Sequence, residues 1–224
     1  MSRSDLDKLA ASIAQKLSLR ITEKLGSGEN GVAFDVGGRV LKITLDGGEY
    51  IQASKFKGKN TKHLSDVYST WVVNVKGERV YVLLKEKVDV SNASEKRIRS
   101  GKEALSKAWD DNDVINVVGE EGVTEFMYFY QKGSYGHSDR QNILNAISEN
   151  KEAVWFLMQM TDMFDEMRSH GIVSADYWDN LGLKNGDIVY YDIGYGNMQD
   201  VEMNYLQLQE IRNQVKTVIS ALTS

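Results

Sequence analysis

The sequence predicts an α+β fold in two parts: a small antiparallel sheet with one central helix, then a mostly helical portion of reduced size. Three observations carry this. Between residues 20 and 85, short runs rich in β-branched and aromatic residues are separated by Gly- and Asn-containing turns. A single amphipathic stretch, EYIQASKFKGK, interrupts those runs. From Asn92 onward the apolar spacing lengthens to the three-to-four-residue period of helices. The expected organisation is an N-terminal packing helix (1–19), a sheet lobe (20–85), a short connecting segment (86–89) and a helical lobe (90–224).

Composition narrows the function classes. At 224 residues, 42% apolar and 26% charged, the chain can bury a substantial core. The net charge of -5 argues against wholesale nucleic-acid binding. The chain has no cysteine, which excludes disulfides, thiolate-bound zinc and thiol catalysis. That fits a reducing compartment, so a cytoplasmic location is expected. No apolar run approaches the roughly 18 residues that span a bilayer, so no membrane association is expected. The first residues, MSRSDLDKLAASIAQKL, lack the apolar core of a secretory signal. Proline is absent, leaving Gly, Asn and Asp to make the turns.

Taken in order, Ser4 and Asp7 resemble a capping box opening a helix with Leu6, Leu9, Ile13 and Leu17 on one face. Ile21 to Leu25, Val32 to Val36 and Val40 to Thr44 read as strands. Gly26, Gly28 and Gly31 form G-x-G-x-x-G between the first two, and Gly37-Gly38 turns between the next two. A dinucleotide fingerprint needs a helix after its glycines. Here a strand follows, which suits a flexible β-hairpin whose backbone N–H groups lie over phosphates, with Ser27 and Val32 beside it. A plain meander with a mobile loop is the alternative. Lys42 sits in the apolar strand Val40-Leu41-Lys42-Ile43, facing either solvent or a cleft beneath the glycine loop. Glu49 is the only glutamate between Lys42 and Trp71. At the start of the central helix it can meet Lys42, and it also suits the helix dipole there.

Trp71 to Val75 and Arg79 to Leu84 form a hairpin about Lys76-Gly77. The strand then exits into Lys85-Glu86-Lys87-Val88, where backbone groups of an extended segment could pair with a purine edge. Asn92 and Glu95 cap a helix carrying Ile98, Leu105 and Trp109. The acidic stretch from Asp110 to Gly122 reads as a loop insert without the ligand spacing of a calcium loop. Helices are expected over Thr124–Gln131 and Arg140–Ile147, with a turn over Gly133–His137. Another follows through Val154, Leu157, Met158, Met160, Phe164 and Met167. The methionine stripe is core. A final helix is expected from Tyr205 to Leu222, burying Leu206, Ile211, Val215 and Ile219.

The stretch from His170 to Gly196 concentrates the polar chemistry. It holds Asp176 and Asn180 in a short loop, then an apolar strand, Ile188 to Tyr191, ending at Asp192-Ile193-Gly194. With the glycine hairpin, the strand lysine and the helix glutamate upstream, this order resembles the protein-kinase-like superfamily. That group includes protein kinases and the aminoglycoside and choline kinases. The resemblance spans roughly Ile21 to Gly196 and is clearest at LGSGENGVAFDV, VLKI, YVLLKEKV and DNLGLKNGDIVYYDIG. It implies a two-lobed fold that binds ATP and Mg²⁺ and moves the γ-phosphoryl group to a hydroxyl of a protein, as a serine/threonine kinase does, or of a small molecule. It further implies Lys42 paired with Glu49, adenine against the backbone of Glu86 and Val88, Asp176 as base, and Asn180 and Asp192 on magnesium.

The chain departs from the family pattern in several places. Ser174-Ala175-Asp176 replaces His-Arg-Asp, and only three residues separate Asp176 from Asn180 instead of four. Ile193 stands for the usual Phe. No Ala-Pro-Glu segment follows, and Lys85 brings a charge where that pocket is apolar. These departures keep two other readings open: a pseudokinase that binds nucleotide or a partner without efficient transfer, and a globular α+β domain with coincidental motifs.

Overall fold

The computed structural model describes residues 1–110, 137–172, 180–193, 209–210, 212–217 and 219–220. The expected insert beyond Asp110, the helix at 124–131, the turn at 133–136, Asp176, Leu206 and Ile211 lie outside them. The elements are α1 (Arg3–Lys16), β1 (Glu23–Ser27), β2 (Gly31–Asp35), β3 (Arg39–Thr44), α2 (Gly47–Lys55), β4 (Val67–Val75) and β5 (Glu78–Glu86). They continue with α3 (Asn92–Asp110), α4 (His137–Glu149), α5 (Lys151–Ser169), β6 (Leu181–Lys184) and β7 (Asp187–Tyr190). The fold is α+β. Among the described residues, no helix is long and apolar enough to cross a membrane.

The five-stranded sheet runs β1-β2-β3-β5-β4, antiparallel throughout. The meander β1-β2-β3 is continued by α2, and the β4-β5 hairpin then inserts its second strand beside β3. Strand alternation gives this sheet two different faces. On one, Leu41, Ile43, Val80, Val82 and Leu84 are buried with Leu6, Ala10 and Ala14 of α1. On the other stand Val40, Lys42 and Thr44, register-paired with Lys85, Leu83 and Tyr81. Helix α2 packs on that second face, with Tyr50 and Tyr81 ring centroids 5.0 Å apart. The side chains that could do chemistry therefore share the face opposite α1.

Helix α1 starts earlier than its sequence suggests. Ser2, not Ser4, is the N-cap, and Ser2 with Asp5 forms the capping box. The buried stripe is accordingly Leu6, Ala10 and Ala14; Leu9 and Ile13 are its flanks, and Leu17 is exposed. Helix α2 is capped by the Asp46 carboxylate, which accepts from Gly48 N–H at 2.7 Å. That cap lets α2 begin at Gly47 and brings Glu49 into its first turn.

The larger core lies among α3, α4 and α5. Phe156, Leu157, Met160, Met163, Phe164 and Met167 of α5 are buried against Leu105 of α3 and Ile143 and Ile147 of α4. Thr161 is buried on the same helix, its hydroxyl donating to Leu157 C=O at 2.6 Å. At Gly101 the helices approach so closely that a Cβ would lie 2.8 Å from that of Phe156.

The β6-β7 ribbon joins this helical core to the sheet. Its turn is Asn185-Gly186, both at positive φ, as a two-residue type I′ hairpin requires. Leu64 forms a parallel bridge to Tyr190 on the outer edge of β7, with Ser65 N–H donating to Tyr190 C=O at 3.0 Å and Tyr190 N–H to His63 C=O at 2.9 Å. Asp89 pairs with Leu183 on the β6 side through reciprocal bonds of 3.1 and 2.9 Å. Glu166 of α5 accepts from the amides of Lys62 and His63 at 3.0 and 2.5 Å. Lys184 of β6 lies 3.0 Å from Asp66 and 2.9 Å from Glu86. The ribbon is thus held from both sides, which fixes where the chain goes immediately after Tyr190.

Candidate functional site

A cavity of about 600 Å³ opens between the sheet and the ribbon. Its walls come from the β1-β2 hairpin, β3, the start of α2, the segment after β5, and residues 180, 191 and 192. Of the site residues expected from sequence, Gly26, Ser27, Gly28, Gly31, Val32, Lys42, Glu49, Glu86, Val88, Asn180 and Asp192 all line it. Asp176 lies outside the described residues. Apolar Leu25 and Val90 are 40% and 49% exposed and also face this cavity, beside the better-buried Ala33, Val40 and Val88, whereas the Val32 side chain is buried on the α1 face of the sheet. Exposed aliphatic side chains on a concave wall are suited to covering the flat face of a ring.

The glycine hairpin divides into two kinds of glycine. Gly28 N–H donates to Gly31 C=O at 3.0 Å, closing the turn between β1 and β2. A Cβ at Gly26 or Gly28 would meet nothing within 4 Å, whereas one at Gly31 would fall 2.5 Å from the Ile43 carbonyl oxygen. Gly31 is needed for β2 to lie against β3. Gly26 and Gly28 leave the backbone open towards the cavity.

Beneath the hairpin, Lys42 Nζ lies 2.9 Å from Glu49 Oε1 and also bonds the Asp192 carboxylate. Three elements converge here: β3, the first turn of α2 and the residues following β7. Tyr191 N–H donates to Asn180 C=O at 3.0 Å, extending the ribbon ladder by one step. Asn180 and Asp192 are thereby brought to the same end of the cavity. Lys85 adds a second cation. It is 4% exposed, and its Nζ donates to Tyr191 C=O, the carbonyl just before Asp192.

These four charges titrate differently. Burial pushes the Lys42 ammonium down, but the Glu49 and Asp192 carboxylates outweigh it and hold its pKa above the ordinary value. Burial pushes Asp192 up, and the Lys42 and Lys85 cations more than reverse this, leaving its carboxyl below the usual range. For Glu49 burial wins over the same two cations, and its pKa is raised. Burial also wins at Lys85, whose pKa is lowered despite Glu49. Lys42 and Asp192 are the firmly charged pair. Glu49 Oε1 is a buried oxygen with no hydrogen-bond partner, its approach to Lys42 being an ion contact outside hydrogen-bond geometry.

A magnesium ion prefers hard oxygen ligands and keeps several of its waters. An ionised Asp192 and the Asn180 side-chain amide oxygen, both lining the cavity, are donors of that kind. Among the described residues no group of three or more His, Asp or Glu side chains forms a self-sufficient metal cage.

Two features were not legible beforehand. Glu86 does not offer its amide to the cavity: it donates to Asp66 C=O at 2.8 Å, and its carbonyl accepts from Ser65 Oγ at 3.1 Å. Lys87, which lines the same wall, is ion-paired with Asp35 across the sheet. The clustering of Lys42, Glu49 and Asp192 agrees with the spacing of the sequence motifs. No protein-family model matches the chain, and no curated protein matches it.

Proposed function

We propose that this protein binds a magnesium nucleoside triphosphate in the cavity and transfers its γ-phosphoryl group to a hydroxyl acceptor, within a two-lobed kinase-like architecture. The observation that carries the reading is the ion-paired set Lys42, Glu49 and Asp192, drawn from three elements, beneath a glycine hairpin with open backbone. Polyphosphate is bound by just such parts: unobstructed N–H groups, a fixed ammonium, and a carboxylate positioned for the accompanying cation. Glu49 holds the Lys42 ammonium towards the hairpin. The hairpin glycines admit the phosphates close to the backbone. Asn180 and Asp192 hold the ion, which when bound neutralises charge on the phosphoryl oxygens.

In the transfer, the acceptor oxygen forms a bond to the γ-phosphorus as the bond to the nucleoside diphosphate breaks. The acceptor proton passes to a carboxylate, assigned to Asp176. The acceptor is a hydroxyl of a protein or of a small molecule. The three-residue spacing between Asp176 and Asn180 favours a second reading, a nucleotide-binding pseudokinase with little transfer.

Incubation with γ-labelled nucleotide and Mg²⁺ separates the two. Transfer to this chain, to an added acceptor or to water, lost in Asp176→Asn, supports the enzyme. Transfer that survives Asp176→Asn and disappears in Asp179→Asn moves the base to Asp179. Tight magnesium-dependent binding without transfer supports the nucleotide-binding pseudokinase, and no nucleotide binding refutes both of these and leaves a partner-binding pseudokinase or a plain α+β domain.

A further inference from the structure

Lys85 is the feature of the cavity that the phosphate chemistry leaves unused. It lies in β5 next to that strand's last residue, Glu86, and stands cross-strand from Val40 on the cavity face. Its side chain is nine-tenths or more buried, and one of its three N–H donors is engaged by Tyr191 C=O. An aliphatic side chain here would give the inner end of the cavity a neutral wall. A lysine gives it a hydrogen-bond donor that cannot accept.

We propose that Lys85 makes this a site for 6-oxopurine nucleotides, guanosine or inosine triphosphate, in preference to adenosine triphosphate. The inference rests on the nucleotide reading above and narrows it to a class of base. A purine whose triphosphate runs under the hairpin to Lys42 places its ring between Ala33, Val40 and Val88, with its six-seven edge directed at the inner wall. Guanine and hypoxanthine present two acceptors on that edge, O6 and N7. Adenine presents N7 and an amino group, whose hydrogens would oppose those of Lys85. This is the same discrimination by which lysine and arginine read guanine in a DNA groove.

The test is calorimetric titration of the full chain with the magnesium complexes of GTP, ITP and ATP. GTP and ITP are expected to bind alike and roughly ten-fold tighter than ATP, the discrimination that one good base-edge contact supplies. ITP lacks the 2-amino group, so its agreement with GTP assigns the preference to O6. In Lys85→Met the preference should fall to about one. If that variant does not fold, Lys85→Gln, whose amide can both donate and accept, should show the same loss. ATP binding as tightly as GTP and ITP to the unsubstituted protein overturns the inference while leaving the nucleotide site standing. So does a preference that persists without Lys85. Failure of all three to bind overturns the nucleotide reading itself.

Discussion

Replacing Gly31 with alanine should destabilise the protein, while the same change at Gly28 should not. At Gly31 the new Cβ would lie 2.5 Å from Ile43 O, 3.2 Å from Thr44 Cα and 3.3 Å from Thr44 Cβ. An ordinary carbon-oxygen approach is about 3.3 Å. Relief therefore requires roughly 0.8 Å of movement, and the obstructing atom is backbone within the β2-β3 ladder, where Val32 is register-paired with Ile43. Overpacking of this kind costs about 1–3 kcal/mol. Alanine returns about 0.4–1 kcal/mol by restricting the unfolded chain. The net loss is on the order of 1–2 kcal/mol, or a fall in Tm of about 3–6 °C for a chain of this size. At Gly28 nothing lies within 4 Å, so stability should hold or rise slightly, while a methyl group facing the cavity weakens nucleotide binding. Urea and thermal denaturation read the first effect, and calorimetry reads the second. Equal stability of the two alanine variants would refute the division of the hairpin into structural and open glycines.

Two further substitutions test the electrostatics. The raised pKa of Glu49 means its charge costs stability as pH rises through the folded value from the ordinary 4.5. Unfolding free energy relative to Glu49→Gln should therefore fall as pH rises above 4.5, and a flat or rising difference in urea denaturation would contradict it. Lys184 holds Asp66 and Glu86 with all three side chains 13–20% exposed. Lys184→Met leaves two poorly solvated carboxylates facing each other and should cost about 2 kcal/mol, discounted from the fully buried case for that exposure. A loss below about 0.5 kcal/mol, within the range of ordinary surface substitutions, would mean the ribbon is held by its backbone bonds alone.

The parts of the site legible in sequence are those whose signals are local. A glycine hairpin followed by a strand, a lysine among β-branched residues and a glutamate near a helix start each carry their meaning within a few positions. Strand alternation then sets Lys42 and Val40 on one face without further information. What could not be read depends on contacts between distant segments. Strand β4 begins at Val67, four residues before Trp71, because β5 gives Ser69 and Thr70 partners despite their weak strand signature. Residues 63–65 look like loop and serve as a third edge to β7, since only the folded chain brings Tyr190 beside them. Lys85 was recognisable as an unusual charge, but its hydrogen bond crosses 106 residues to Tyr191. The capping of α1 slipped by two residues because Ser2/Asp5 and Ser4/Asp7 have equal spacing. Ser2 is the cap that forms, and the carboxylate of Asp7 is paired with Lys24 instead.

The central claim is that Lys42 and Asp192 serve a magnesium-bound triphosphate. Its most direct test is calorimetric titration of the unsubstituted protein, Lys42→Ala and Asp192→Asn with GTP and ATP, each with Mg²⁺ and with EDTA. The account predicts binding to the unsubstituted protein that weakens at least about ten-fold on removing Mg²⁺ or on either substitution, each contact to charge contributing about 1.5–3 kcal/mol. Nucleotide affinity that is indifferent to Mg²⁺, Lys42 and Asp192, or absent altogether, would contradict it.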